Sequence, residues 1–339
     1  MNRRLSSSVS VSLGLIAAVL VTACSGAPVG SAPTAQVRQA LTVGLGYIPS
    51  VQFAPFYLAD QAGYYRDAGL DVTFQNKIDP DLVTLVGQGA IDVGLADGTS
   101  LIPAVSQGIP VRYIATVYRD FPSIVFAKTS SGIATAADLK GKKIGIPGRY
   151  GSSWIMLQAL LGSAKLTPDD VQIVEYPDFG QGAAVQQGAV DAATGFANNE
   201  PVQLELAGFP TTVLHVDAIV PLPGPGLISG TGTLGSKQAA IAAFVAATLK
   251  AMADITADPE KGLDAAITAV PDLGSARATQ KAILEATIAA WKGSGSGTPT
   301  LGAIDAAGWA ASLAFMTTLG LVPNPIKVED LIRSDLLPK

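Results

Sequence analysis

Two reactive residue types are almost missing, since the 339 residues hold one cysteine, Cys24, and one histidine, His215. A disulfide needs two thiols and a cysteine-rich zinc site several, so neither can be built. A Cys–His nucleophilic pair in the folded part is excluded too, because Cys24 falls at the end of an N-terminal leader. Charge is scarce as well: Asp, Glu, Lys and Arg make up 14%, the net charge is −5, and no basic run follows Arg3-Arg4. Nucleic acid calls for a Lys/Arg footprint that displaces counterions, and none is present. No glycine-rich loop runs into Lys-Ser or Lys-Thr, which excludes a nucleotide P-loop. No metal and no cofactor are therefore expected. The chain is instead 48% hydrophobic, rich enough to fold over most of its length and long enough for two lobes.

The first residues read as an address. Arg3 and Arg4 form a basic start, and 9–21 is an apolar run short of the ~20 residues that span a bilayer. Leu20-Val21-Thr22-Ala23-Cys24 then has the small residues of a lipoprotein cleavage site. We expect a signal peptide over 1–23, lipidation of Cys24, and a small-residue, nearly uncharged tether over 24–40. Cleavage removes Arg3 and Arg4 and makes the remainder two charges more negative. Several acyl chains on Cys24 would anchor the protein at the extracytoplasmic face of the cell membrane.

An internal repeat organises the rest. Val86-Gly-Gln-Gly-Ala-Ile-Asp-Val93 is echoed by Val185-Gln-Gln-Gly-Ala-Val-Asp-Ala192, an offset of 99 (185 against 86). Around each copy the apolar pattern reads β-α-β-α-β: strands at 41–46, 69–74 and 92–96, then at 143–147, 170–176 and 191–195, with helices at 52–68, from 82 to Gly89, at 153–164 and at 180–188. Asp79 or Asp81 would cap the second of these helices. Such alternation predicts an α/β fold of two parallel-sheet lobes with helices on both faces. Further strands at 111–117 and 123–127 leave the first unit, and 220–229 returns to it. Two crossings make the chain bilobal, with a hinged cleft: 41–124 with 227–339 as lobe 1, and 125–226 as lobe 2. Helices are expected at 237–256, 259–270, 276–291 and 305–319, with a flexible Gly/Ser loop at 293–298.

Ligands of parallel α/β sheets sit outside the carboxyl ends of the strands. Here those ends carry Tyr47 and Phe53, then Asp97 and Thr99, then Tyr118, then Tyr150, Ser152, Ser153 and Trp154, and finally Phe196, Asn198, Asn199 and Glu200. One carboxylate, two carboxamides and a ring within 196–200 suit the edge and face of a small heterocycle. Ser152 and Ser153 open a helix, where backbone N–H groups can hold an anion or hydroxyl, or simply be capped. Tyr47, Phe53, Tyr118, Phe121, Tyr150, Trp154, Phe179 and Phe196 cluster near these ends in a chain only 6% aromatic, which favours a flat, stacking ligand. His215 falls in a strand pattern and is read as structural.

Gly46-Tyr-Ile-Pro49, Phe53-Ala-Pro-Phe-Tyr57, Gly63-Tyr-Tyr65, Gly69-Leu-Asp-Val72, Asp138-Leu-Lys-Gly141 and Asn198-Asn-Glu-Pro201 resemble the solute-binding proteins of ABC importers. The nearest branch is that for thiamine pyrimidine precursors and riboflavin, beside the sulfonate, taurine and nitrate branch. The likeness covers 41–338. It implies a type II periplasmic-binding fold, a membrane permease as partner, and a monomer whose Tyr-Ile-Pro and Asn-Glu-Pro loops line the cleft. With Arg149 and Arg119 as the only obvious cations, a pyrimidine precursor such as hydroxymethylpyrimidine or its formyl-aminopyrimidine form, or riboflavin, is expected over a sulfonate, taurine or nitrate. The rival is a pyrimidine-synthase-like enzyme of the same superfamily, which needs a histidine and a cysteine-rich motif. Neither lies beside the cleft loops of this chain, so a receptor and not an enzyme is expected.

Overall fold

The computed structural model describes residues 38–76, 81–217, 219, 221–294 and 300–338. The signal peptide, Cys24, the tether up to residue 37, the alternative cap Asp79 and most of the Gly/Ser loop lie outside them.

The described residues begin with β1 (Gln39–Leu45), α1 (Ala54–Gln61), α2 (Tyr64–Asp67), β2 (Leu70–Asn76), α3 (Asp81–Gly87), β3 (Val93–Asp97), α4 (Gly98–Ser106) and β4 (Val111–Thr116). The chain crosses to β5 (Ser123–Lys128), β6 (Lys143–Ile146), α5 (Gly151–Ser163), β7 (Gln172–Glu175), α6 (Gln181–Gln187), β8 (Ala192–Phe196), α7 (Glu200–Leu206) and β9 (Thr211–His215). It then returns through β10 (Pro225–Gly230) to α8 (Thr231–Ala257), α9 (Pro259–Ala269), α10 (Arg277–Lys292) and α11 (Ala306–Thr318).

Two five-stranded sheets result, in the orders β2-β1-β3-β10-β4 and β7-β6-β8-β5-β9. The expected parallel sheets are mixed in one respect. β10 runs antiparallel to both β3 and β4, and β5 runs antiparallel to both β8 and β9. The strand that enters each sheet from a crossing arrives from the opposite direction, so it cannot keep the polarity of the βαβ units. Every residue of β3 and of β10 is buried, as expected of strands covered on both faces.

The helix expected over 52–68 is divided. α1 stops before Gly63, whose φ of 78° ends it in the left-handed region, and α2 restarts after it. β1 starts at Gln39, inside the stretch assigned to the tether. Helix α4 and helix α7 stand where loops were expected, directly after the two equivalent strands β3 and β8. Gly98 opens α4 because a Cβ there would lie 2.4 Å from that of Pro223.

The repeat has a physical role. Asp92 Oδ2 accepts the Thr42 N–H at 2.9 Å, and Asp191 Oδ2 accepts the Lys143 N–H at 2.8 Å. In both sheets the carboxylate at the start of the third repeat strand thus ties down the first one. Gly89 and Gly188, both with φ of 75°, terminate the helices before these aspartates.

Helix α8 is long and apolar enough to cross a membrane by length and composition, but half of its apolar window is buried inside the protein. Ile241, Phe244, Val245, Met252 and Ile255 pack into the core of the first sheet. Phe244 stacks on Tyr65 at 4.9 Å and on Phe56 at 6.3 Å, which fastens α8 to α1 and α2. It is a core helix.

Candidate functional site

A cavity of about 920 Å³, its open mouth included, lies where the carboxyl ends of strands from both sheets meet. From the first sheet's side it is lined by Gly46, Tyr47, Gln52, Phe53, Leu95, Ala96, Asp97 and Tyr118. From the second it is lined by Pro147, Tyr150–Ser153, Phe179, Gln181, Gly195, Phe196, Asn199 and Glu200, with Pro225 on the returning strand.

Ten of the thirteen sequence-assigned residues meet there: Tyr47, Phe53, Asp97, Tyr118, Tyr150, Ser152, Ser153, Phe196, Asn199 and Glu200. Thr99 does not line it, being fully buried in the first turn of α4. Trp154 packs toward the core of the second sheet with Arg149 5.3 Å above its ring. Arg149 itself pairs with Glu175 at 3.3 Å, and Arg119 lines a second cavity formed by the two crossings and 300–305. Neither arginine lines the first one.

Asn198 is turned the other way. Its Nδ2 donates to Gln52 Oε1 at 2.9 Å and to Thr287 Oγ1 on α10 at 2.7 Å. It joins the end of β8 to the opposite lobe and leaves ligand contact to its neighbour. Gln52 is the hub of this tie: its oxygen also accepts the Tyr118 hydroxyl at 3.3 Å, and its Nε2 donates to Ser50 Oγ at 3.2 Å.

Glu200 opens α7, where a carboxylate suits the helix N-terminus and Pro201 costs no hydrogen bond. Its Oε2 accepts the Phe196 N–H at 2.8 Å. A Cβ on Gly195 would lie 2.7 Å from that oxygen, so only glycine leaves the carboxylate its place. Burial pushes the Glu200 carboxyl above its ordinary range; the N–H groups of Phe196 and Glu200 and the Asn199 side chain oppose the shift without cancelling it. The Tyr47 phenol is pushed up as well, first by burial and then by the Glu200 charge, with Asn199 as an opposing hydrogen-bond partner. Tyr47, Asn199 and Glu200 therefore act as one polar corner shared by two lobes.

Phe179 touches Tyr47 edge-on, with ring centroids 4.8 Å apart, and both line the cavity. Its φ of 61° is a left-handed conformation rare for a bulky residue, held by the turn in which its own N–H donates to Tyr176 O and the Gly180 N–H to Asp178 Oδ1. Sequence reasoning placed Phe179 among the cleft aromatics. It missed Gln52, Gln181, Leu95, Ala96, Pro147 and Pro225. Gln52 and Gln181 sit in helix first turns and look like solvated surface residues, with no periodic signal to separate them. Among the described residues no group of three or more His, Cys, Asp or Glu could hold a metal ion.

With this geometry in place, known proteins that are similar to the chain can be compared. The riboflavin-binding protein RibY of Chloroflexus aurantiacus is 32% identical over 343 residues, 97% of each chain. The 4-amino-5-hydroxymethyl-2-methylpyrimidine phosphate synthase THI13 of Saccharomyces cerevisiae is 30% identical over 169 residues, 49% of this chain and 48% of the synthase. The periplasmic aliphatic sulphonate binding protein SsuA of Escherichia coli superposes with a TM-score of 0.68 at 20% identity, covering 87% of this chain and 97% of that one. That likeness supports the bilobal α/β periplasmic-binding fold alone. The model of the NMT1/THI5-like family matches residues 50–262, and with a full-length relative beside it the chain belongs to that family.

Proposed function

We propose that this protein is the solute-binding lipoprotein of an ABC importer, capturing a flat vitamin-type heterocycle and handing it to a membrane permease. The ligand would be riboflavin or a thiamine pyrimidine precursor, held between lobes spanning 41–124 with 227–339 and 125–226, on a chain lipid-anchored through Cys24 at the outer face of the cell membrane. The observation that carries this reading is the lining of the cavity. It combines Tyr47, Phe53, Tyr150, Phe179 and Phe196 with the acceptors Glu200 and Gln181, and no Lys, Arg or His lines it among the described residues. Rings suit a planar π face, acceptors suit an N–H edge, and a buried oxyanion without a cation would be left unpaired. The full-length relative is named as a binding protein, which favours a receptor over an enzyme.

A thermal-shift series with riboflavin, hydroxymethylpyrimidine and ethanesulfonate tests it. A binder present at a hundred times its Kd adds about 2.7 kcal/mol of stability. We expect a saturable rise in Tm with a heterocycle and none with ethanesulfonate; the reverse pattern would overturn the assignment of ligand class.

A further inference from the structure

Gln181 is 1% exposed, opens α6, and lines the same cavity as Glu200. A carboxamide so deeply buried has four hydrogen-bonding positions to satisfy. Its Nε2 donates to the Thr194 carbonyl on β8 at 3.3 Å. That carbonyl can only accept, so the amide cannot be turned over without setting oxygen against oxygen. The orientation is therefore fixed, with Oε1 directed away from the strand. Among the described residues no donor reaches Oε1. The stem is held too: a Cβ on Gly145 of β6 would lie 3.2 Å from the Gln181 Cβ, and one on Gly182 would lie 3.3 Å from the Glu200 Cγ. Gln181, with a spare acceptor, and Glu200, with a carboxylate, thus line one cavity.

We propose that Gln181 is a specificity-determining residue of this cleft, its Oε1 accepting a ring N–H from the bound heterocycle. The inference rests on the reading of the cavity as a heterocycle site and narrows it to rings whose polar edge donates, such as an imide or lactam N–H. A ligand head made only of acceptor atoms, as in a sulfonate, gives this oxygen nothing. An acceptor left unmatched in a buried site is the strongest form of rejection by hydrogen bonding.

Riboflavin and N3-methylriboflavin, which differ by one imide proton replaced by a methyl group, form the probe pair, read by quenching of flavin fluorescence. Wild type should bind riboflavin roughly tenfold to hundredfold more tightly than the methylated analogue. Gln181→Met, close in volume but without the acceptor, should bind both alike. If that variant does not fold, Gln181→Leu takes its place, because a wild-type preference by itself does not separate Gln181 from Glu200 as the acceptor. A wild-type preference that Gln181→Met retains, or equal binding of both probes by wild type, overturns the role of Gln181 while the cleft reading stands. Binding of neither probe by wild type overturns the imide-reading role of Gln181, and the cleft reading falls with it only if hydroxymethylpyrimidine also gives no saturable rise in Tm.

Discussion

The Glu200 carboxyl titrates above its ordinary value because it is buried, and the sign of that shift sets two pH dependences against each other. A folded-state value above the unfolded one means that the native protein holds the proton longer. The associated stability is complete below the ordinary value near 4.5 and is lost as pH rises through the raised one. A ligand that donates to the carboxylate has the opposite preference, and its affinity should increase over the same window. Glu200→Gln keeps an acceptor for the Phe196 N–H and removes the charge. It should flatten both trends, leave Tm near neutral pH unchanged or higher, and weaken riboflavin binding roughly tenfold or more, because charge-assisted hydrogen bonds contribute about 1.5–3 kcal/mol. Calorimetric titrations between pH 5 and 8 read this directly, and an affinity that falls with rising pH would show that the carboxylate is not the acceptor. The residue scale is also where the sequence misleads most. Glu200, Asn199 and Phe196 were legible because they follow a repeated strand. Asn198 carries the same chemistry one position earlier, and only the three-dimensional path of the chain turns it toward Gln52 and Thr287.

At the scale of elements, the two copies of the repeat use one device under different conditions. Asp92 accepts from Thr42 and pairs with Lys237 Nζ at 2.8 Å, while its backbone oxygen accepts from Ser229 of β10 at 2.7 Å. It is almost buried, and it links β1, α8 and the returning strand. The Asp191 carboxylate accepts the Lys143 N–H in an exposed setting, with no ion pair beside it among the described residues. Asp92→Ala should therefore cost about 2 kcal/mol, the penalty of an unsatisfied buried donor beside a lost ion pair. Asp191→Ala should stay within about 0.5 kcal/mol, as an exposed substitution does. Urea titrations of both variants compare them, and equal losses would mean that burial does not decide the matter. Strands and repeat were readable from alternation and glycine positions. Helices α4 and α7 were not, since Gly98 and Pro201 read as turn residues when the packing that starts each helix is hidden.

For the molecule as a whole, the Asn198 tie bears on how the lobes close. Two donated bonds hold β8's loop against Gln52 and α10. Asn198→Ala should shift the population toward a more open form. Small-angle scattering without ligand should then give a larger radius of gyration, and riboflavin should bind up to about tenfold more weakly, since the competent state becomes rarer. An unchanged profile with unchanged affinity would mean that other contacts hold the lobes.

The mixed polarity of the sheets has a consequence for biosynthesis. All five strands of the second sheet lie in one continuous stretch, from Ser123 to His215. The first sheet instead has a gap between β3 and β4 that only β10, beginning at Pro225, can fill. A ribosome delivers β1 to β4 first, yet their sheet must wait with two open edges until the whole inner lobe has emerged. The part of the chain made earlier is thus completed later, and the nascent first half spends the time of about a hundred further residues, several seconds or more at cellular synthesis rates, with unpaired strands exposed.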